Sequence, residues 1–444
     1  MGNSRRVIEI NDHVIGPRPP RLRTLRPRKL SDYPHVPVVY RDVASRLSSP
    51  LMLGPPICDE LIALVQHLFT EEEAGIVRHL GLFSGRNAAQ LARDEHRPVE
   101  QIQPILDQLI DENIAIVSSG PSGKKETGPI CRNGPRPTSG RCPASHKLDQ
   151  SPFSRQSPFS RYRLLPIVPG IFEMLLIGHT PESLTAWHRR FIELFEALYE
   201  TGFSLDYRDH QTPSVRYLPI GKAIEAHPMA LPSDKLEVVL DQFAVFAVGQ
   251  CQCRLAMESL GQGCGKPLGN CTVMGQWAEP GIENGTLRQV SKKEALEIKR
   301  EAESHGLVNW MMNVQSSRGQ CSCSCCGCCC HAIRMVNEFN APGFIAPPHF
   351  VPRLDASKCT HCGKCAKNCP MGAIVVDTQR KTYRHLQPRC IGCGLCVLAC
   401  DARKALAMEP VPDYRLPYRS WFSLIAHATP GVLMNSWKLR RQRS

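Results

Sequence analysis

At 444 residues the chain is too long for one ordinary core, and about three domains are expected. No stretch of about 18 uninterrupted apolar residues occurs, and residues 1–59 lack the apolar core of a secretory signal, which argues against a membrane span and a secreted destination. The net charge of +13 invites a nucleic-acid partner, but the excess Lys and Arg collect in residues 1–50, 118–163 and 403–444, as decoration of tails and a loop rather than as a recognition face.

In chain order, residues 1–50 form a basic, Pro/Arg-rich tail in which Pro17, Pro19, Pro20, Pro27, Pro34 and Pro37 block helices, so an extended, weakly ordered segment is expected. Residues 51–169 read as a winged-helix-like module. Its helices are expected at 57–68, at 70–80 behind a capping box of Thr70 and Glu73, at 87–93, and at 99–112 with Ile102, Ile105, Leu106, Leu109 and Ile110 on one face. A strand at 115–117 and a returning strand at 162–166 flank an insertion at 120–161. That insertion is expected to be disordered; it repeats Ser-Pro-Phe-Ser-Arg and carries Cys131 and Cys142 at no metal spacing. The helix that would read DNA in such a module carries Glu100, Asp107, Asp111 and Glu112 and no Lys or Arg, so phosphates would repel it. A structural or protein-docking role is expected instead.

Residues 170–350 read as a helical, cysteine-rich domain. Helices are expected at 170–177 and 182–202, the second with a core stripe of Leu184, Trp187, Phe191, Leu194, Phe195 and Leu198. Of the 22 cysteines, 19 lie from Cys251 onward in runs too tight for disulfides and suited to metal, which points to a reducing compartment and hence the cytoplasm. Cys251, Cys253, Cys264 and Cys271 are four soft ligands for an iron–sulfur cluster or zinc, with reduced packing thiols as the plain alternative. Arg254 would donate to cluster sulfur or form a surface salt bridge. Cys321, Cys323, Cys325, Cys326, Cys328, Cys329 and Cys330 are too many thiols for one cube, and Gly327 would permit a sharp turn among them. The first four cysteines are expected to meet some of this second group, returned by a helix near 292–305.

The strongest pattern closes the chain: Cys359-x2-Cys362-x2-Cys365-x3-Cys369-Pro370 and Cys390-x2-Cys393-x2-Cys396-x3-Cys400, the ligand spacing of two [4Fe–4S] clusters. Three thiolates of each run would hold one cube while the fourth reaches the other. Cluster one is therefore expected on Cys359, Cys362, Cys365 and Cys400, and cluster two on Cys390, Cys393, Cys396 and Cys369. Gly363, Gly392 and Gly394 suit a backbone curled close around sulfide. Paired zinc knuckles would instead use separated Cys-x2-Cys pairs. Residues 358–409 thus resemble a bacterial-type dicluster ferredoxin domain, with one departure: Asp401 follows Cys400 where that family has proline. The acidic neighbour would make the two potentials unequal.

The cysteine segments in this order, with Leu165-Pro166, Cys251-x-Cys253-Arg254, Ser291-Lys292-Lys293-Glu294 and Cys325-Cys326-Gly327-Cys328-Cys329, resemble a family of large cytoplasmic 4Fe–4S dicluster proteins. Cys325-Cys326-Gly327 also resembles, over a short stretch, the signature of heterodisulfide-reductase-type noncubane cluster domains, without its second half. The implied architecture is α+β: a helical winged-helix-like module, a mixed helical cysteine-rich middle domain, a ferredoxin domain at 351–410 and a basic aromatic tail at 411–444. In that tail Trp421, Phe422, Leu424 and Ile425 precede Pro430-Gly431, which is expected to break it. It reads as packing back on the protein or a partner subunit, with peripheral membrane contact as the rival reading. No dinucleotide, phosphate-loop or metalloprotease motif accompanies the cysteines. The chain therefore reads as an electron carrier or oxidoreductase subunit passing single electrons to a redox partner protein. The alternatives are a reductase centred on residues 251–330 and a redox-responsive regulator using the winged-helix-like module.

Overall fold

A computed structural model describes residues 7–49, 52–81, 85–111, 116–119, 160–205, 212–400 and 402–441. Asp401, Cys131, Cys142 and the 120–161 insertion up to residue 159 lie outside them. The architecture is mixed α+β, with helices and antiparallel sheets.

The N-terminal segment departs from an extended, weakly ordered tail. Ile8–Asn11 and Val14–Pro17 form a hairpin, and the second strand pairs with Ile374–Asp377 of the ferredoxin region, Ile15 opposite Val376. Pro37 stands at the N-cap of the helix Val38–Leu47, where its fixed φ and missing N–H cost nothing. That helix buries Tyr40, Val43, Ala44 and Leu47. Pro37 therefore starts an element rather than preventing one.

Helices Asp59–Leu68, Glu71–Val77, Ala88–Asp94 and Val99–Asp111 follow, then the antiparallel pair Ile116–Ser119 and Arg161–Leu164. Thr70 and Glu73 cap each other's backbone N–H groups, and Asn87 and Gln90 do the same. The expected helix at 182–202 divides: a short turn Pro181–Ser183 precedes Ala186–Glu200, because the Thr185 side chain accepts the His188 N–H and starts a fresh helix. Phe191, Phe195 and Leu198 are fully buried on its inner face.

The middle region is built on a six-stranded antiparallel sheet in the order Val215–Leu218, Val308–Met312, Gly319–Cys325, Cys271–Gly275, Phe246–Gly249 and Arg288–Val290. It is more of a sheet domain than the helical reading anticipated, since the cysteine-dense segments themselves supply two central strands. The helix Lys292–Ser304 lies beside it, started by the Ser291 cap on the Glu294 N–H. One continuous apolar core runs from Tyr33 through Phe195 and Ile333 to Ile391, tying the N-terminal helices, the middle sheet and the ferredoxin region together.

At the C-terminus the helix Trp421–Arg441 continues through Pro430 instead of breaking there. Its first turn is anchored: Leu424 is buried, the Trp421 ring meets Trp277 at 5.6 Å, and Gln315 donates to the Pro417 carbonyl at 2.7 Å. Phe422 and Ile425 face solvent. No helix among the described residues is long and apolar enough to cross a membrane.

Candidate metal centres

The two C-terminal cysteine runs share one local design. Gly363 and Gly394, both at positive φ (75° and 81°), cap the four-residue helices Lys364–Lys367 and Leu395–Leu398, which carry Cys365 and Cys396. Where the second run uses Gly392 at φ 66°, the first uses His361 at φ 56°, so the left-handed turn is a requirement of the loop and not of glycine. The turn places backbone N–H groups at sulfur: His361 donates to Cys359 Sγ and Gly392 to Cys390 Sγ, each at 3.4 Å, and Ala373 donates to Cys369 Sγ at 3.2 Å.

The fourth thiol of each run faces the other run. Burial first, and then the facing thiols of Cys400, Cys362 and Cys359, push Cys365 up to about 12. Burial likewise raises Cys390 to about 12, with Cys369 adding to it, and Cys393 is raised by burial together with Cys369 and Cys390. Thiols so crowded resist ionisation until a multivalent cation joins them. Cys369, Cys390, Cys393 and Cys396 also line one small cavity together with Gly392 and Gly394. The residues fit a thiolate-held cluster in each set, and the cavity fits one in the second.

Of the eleven cysteines from Cys251 to Cys330, ten sort into three groups, and Cys321 stands near Cys271. Along the strand Gly319–Cys325, Ser322 and Ser324 are buried on one face while Cys321 and Cys323 stand on the other, as a strand's two-residue period requires. In the first group, Cys323 Sγ lies 3.9 Å from Cys271 Sγ, and this thiol lowers Cys271 to about 7, against burial and with help from the Lys299 ammonium. In the second, Cys330, the N-cap of helix His331–Phe339, lies 3.3 Å from Cys325 and is hydrogen-bonded with Cys253. His331 Nδ1 is 3.2 Å from Cys253, and its Nε2 meets the buried Glu196 carboxylate, which Arg334 holds at 3.0 Å. Cys251 adjoins this group, with burial pushing it up to about 12. The third group is Cys264, Cys326, Cys328 and Cys329, whose sulfurs all lie within 4.8 Å of one another.

Arg254 neither bonds sulfur nor sits at the surface. Only 2% exposed, it donates to the carbonyls of Pro267 (3.0 Å) and Ser324 (2.6 Å) and to Asn270 Oδ1 (2.5 Å), bracing the 264–271 loop against the strand. Its three acceptors are neutral, and against the cost of burial the thiols of Cys251, Cys326, Cys325 and Cys264 hold its charge. Lys299 is a second buried cation, missed in the sequence because it reads as one charge among many on an amphipathic helix. It donates to Ser322 O, to Ser324 Oγ at 3.1 Å and to Asn270 O at 3.3 Å. Gly327 lies in a turn at 327–329, as expected, and glycine is needed there for close approach, since a Cβ would stand 2.4 Å from the Pro370 carbonyl. Asn337 Nδ2 bridges the same two carbonyls, at 3.1 Å to Gly327 O and 2.9 Å to Pro370 O.

Comparison with known proteins agrees with the C-terminal geometry. Residues 351–401 match the 4Fe-4S dicluster domain family. Electron transport protein HydN of Escherichia coli strain K12 is 36% identical over 90 residues, 18% of this chain and 49% of that protein. The ferredoxin-like protein in nif region of Rhizobium leguminosarum bv. trifolii is 37% identical over 65 residues, 15% of this chain and 94% of that protein. The chain spans about half the length of the HydN proteins it matches. No solved structure matches the chain significantly. Through its C-terminal residues the chain belongs to the ferredoxin-like 4Fe-4S dicluster family, and it carries that domain's two [4Fe–4S] clusters.

Proposed function

We propose that the chain relays single electrons through its dicluster domain to a partner oxidoreductase in the cytoplasm. Cys359, Cys362, Cys365 and Cys400 would hold one cluster and Cys390, Cys393, Cys396 and Cys369 the other. The observation that carries the reading is the facing of each run's fourth thiol with the other run, Cys400 with Cys365 and Cys369 with Cys390, Cys393 and Cys396. Bound clusters supply reversible one-electron exchange. The residues decide what reaches them. Cys362 is exposed, which leaves the first set open to a docking partner, whereas Cys393 and Cys396 are buried and keep water from the second. Cys396 lies close enough to Cys365 to feel its charge, so the two sets are neighbours.

The helices from Asp59 to Asp111 and the strand pair after them support a winged-helix-like module, for which we infer protein docking, since Val99–Asp111 is acidic. The likeness to large cytoplasmic dicluster proteins extends the electron-transfer reading to the upstream cysteines. A second reading, a reductase centred on residues 251–330, is favoured by one observation: the Cys325 and Cys330 thiols stand 3.3 Å apart beside Cys253 and the His331–Glu196 pair.

Iron and sulfide analysis of anaerobically purified full-length protein, followed by a reductive titration, tests the main reading. About eight irons and eight sulfides in cubes, taking up one electron each, are expected. About four irons, or none that is reducible, would overturn it.

A further inference from the structure

We propose that Cys264, Cys326, Cys328 and Cys329 together bind a single tetrahedral divalent metal ion, zinc or iron, separate from both [4Fe–4S] clusters. Four thiolates around one ion at about 2.3 Å stand about 3.8 Å from each other, the edge of the tetrahedron. Here Cys264 and Cys326 are 4.0 Å apart, Cys328 and Cys329 are 3.6 Å apart, and no pair exceeds 4.8 Å. A cube would place each sulfur on a different iron and so spread the four further outward. The compactness selects one ion.

One side of the site is apolar, while Cys264 and Cys328 are only partly buried. Met257, Ala302 and Leu307 pack against the four thiols and are buried, so water is kept from at least one side. Four thiolates on a divalent ion leave a net charge of about −2, which needs a counter-charge in a dry setting. Arg254 is that counter-charge: its guanidinium has no carboxylate among its acceptors and sits within the field of Cys264 and Cys326. Cys271, only seven residues from Cys264 in sequence, is excluded from the site because its sulfur is paired with Cys323 on the sheet.

The position gives the ion a job. Three of its ligands come from one turn whose Gly327 rests on Pro370, the residue after Cys369, and the fourth comes from the loop braced by Arg254. One ion would therefore fix the turn that ends a central strand of the middle sheet, and that turn rests on the loop that supplies the distant ligand of the second cluster.

The test is metal analysis of the full-length chain for iron, zinc and sulfide, with X-ray absorption at the edge of whichever metal exceeds the iron matched by sulfide. One extra equivalent is expected, with four sulfur neighbours when it is zinc. When it is iron, a high-spin ferric signal should appear on oxidation. Cys264→Ser and Cys328→Ser should lose that equivalent and keep the sulfide-bound iron; Cys271→Ser should keep both. The wild-type measurement needs no variant to fold. No extra metal, a third cube bringing iron to about twelve, or loss of the equivalent in Cys271→Ser but not in Cys264→Ser would overturn the site. Because sulfide-bound iron is counted separately, failure here is distinct from failure of the electron-transfer reading.

Discussion

Single side chains decide the chemistry of this protein by what surrounds them. Cys362 is the exposed member of its four-thiol set, so its replacement disturbs ligation with little change to packing. Cys362→Ser should therefore cost cluster one while leaving the second set's four thiols intact. Iron should fall by roughly half and one of two reduced-state EPR signals should disappear; an unchanged spectrum and iron content would refute the ligand assignment. Arg254 presents the opposite case, a buried fork on three oxygens from two segments. Lysine keeps the charge but cannot span three acceptors, so Arg254→Lys should lower stability by about 2–4 kcal/mol in chemical denaturation. A shift below about 0.5 kcal/mol, the usual range for an uninvolved surface residue, would mean the brace is not needed.

At the scale of elements, the N-terminal helices are locked by a small ionic knot. Glu95, just past the helix Ala88–Asp94, accepts from Arg78 at 2.9 Å and pairs with His79 Nε2 at 2.6 Å, both beyond the end of Glu71–Val77. Burial alone would raise this carboxyl; the hydrogen bonds from Arg78 and His79 outweigh it and hold it below its ordinary 4.5. A carboxylate with a depressed native pKa contributes stability that is full above its unfolded pKa and fades as pH falls through the native one. Glu95→Gln should thus destabilise by about 1 kcal/mol near pH 7, and the gap from wild type should close as pH falls below 4.5. Denaturant midpoints of both proteins across that range check the sign, and a gap that widens towards acid would contradict it. The clusters' own acid lability makes the comparison between the two proteins, rather than either curve alone, the informative quantity.

Across the whole molecule, segments distant in sequence shield one another's reactive parts. The hairpin of Ile8–Asn11 and Val14–Pro17 completes a four-stranded sheet with Ile374–Asp377 and Thr382–His385. Ile15 packs among Ala366, Ile374, Val376 and Cys396, with its Cδ1 against Gly363, where a side chain would make it shift. Deleting residues 1–19 would leave Ile374–Asp377 as a bare edge and open this apolar cluster to water. Bleaching of the visible absorbance in air should then be several-fold faster than in the intact chain, with initial anaerobic iron content unchanged. Equal bleaching rates would show that the hairpin does not shield the site.

The cluster spacing was legible in the sequence because ligation within one loop is local: three cysteines at fixed short intervals, with a residue able to take positive φ between them, need no distant partner to be recognised. The same locality made Thr70 and Glu73 readable as a cap, and Phe191, Phe195 and Leu198 as a buried stripe. Where meaning depended on what arrives from elsewhere in the chain, the sequence was silent or misleading. Pro37 reads as a helix blocker and is a helix start; Arg254 reads as a cluster or surface cation and is a buried brace; Lys299, which nothing in the sequence singles out, is enclosed. The density of residues 321–330 could not be parsed either, because strand, turn and helix cap send neighbouring thiols in different directions, and the paired strands at Cys271–Gly275 and Val308–Met312 fix only those up to Cys325. Spacing along the chain determined that this protein binds iron–sulfur clusters. Which thiols meet across more than fifty residues, and which cations and apolar side chains enclose them, was decided by tertiary packing, because burial and facing distances are properties of the folded chain alone.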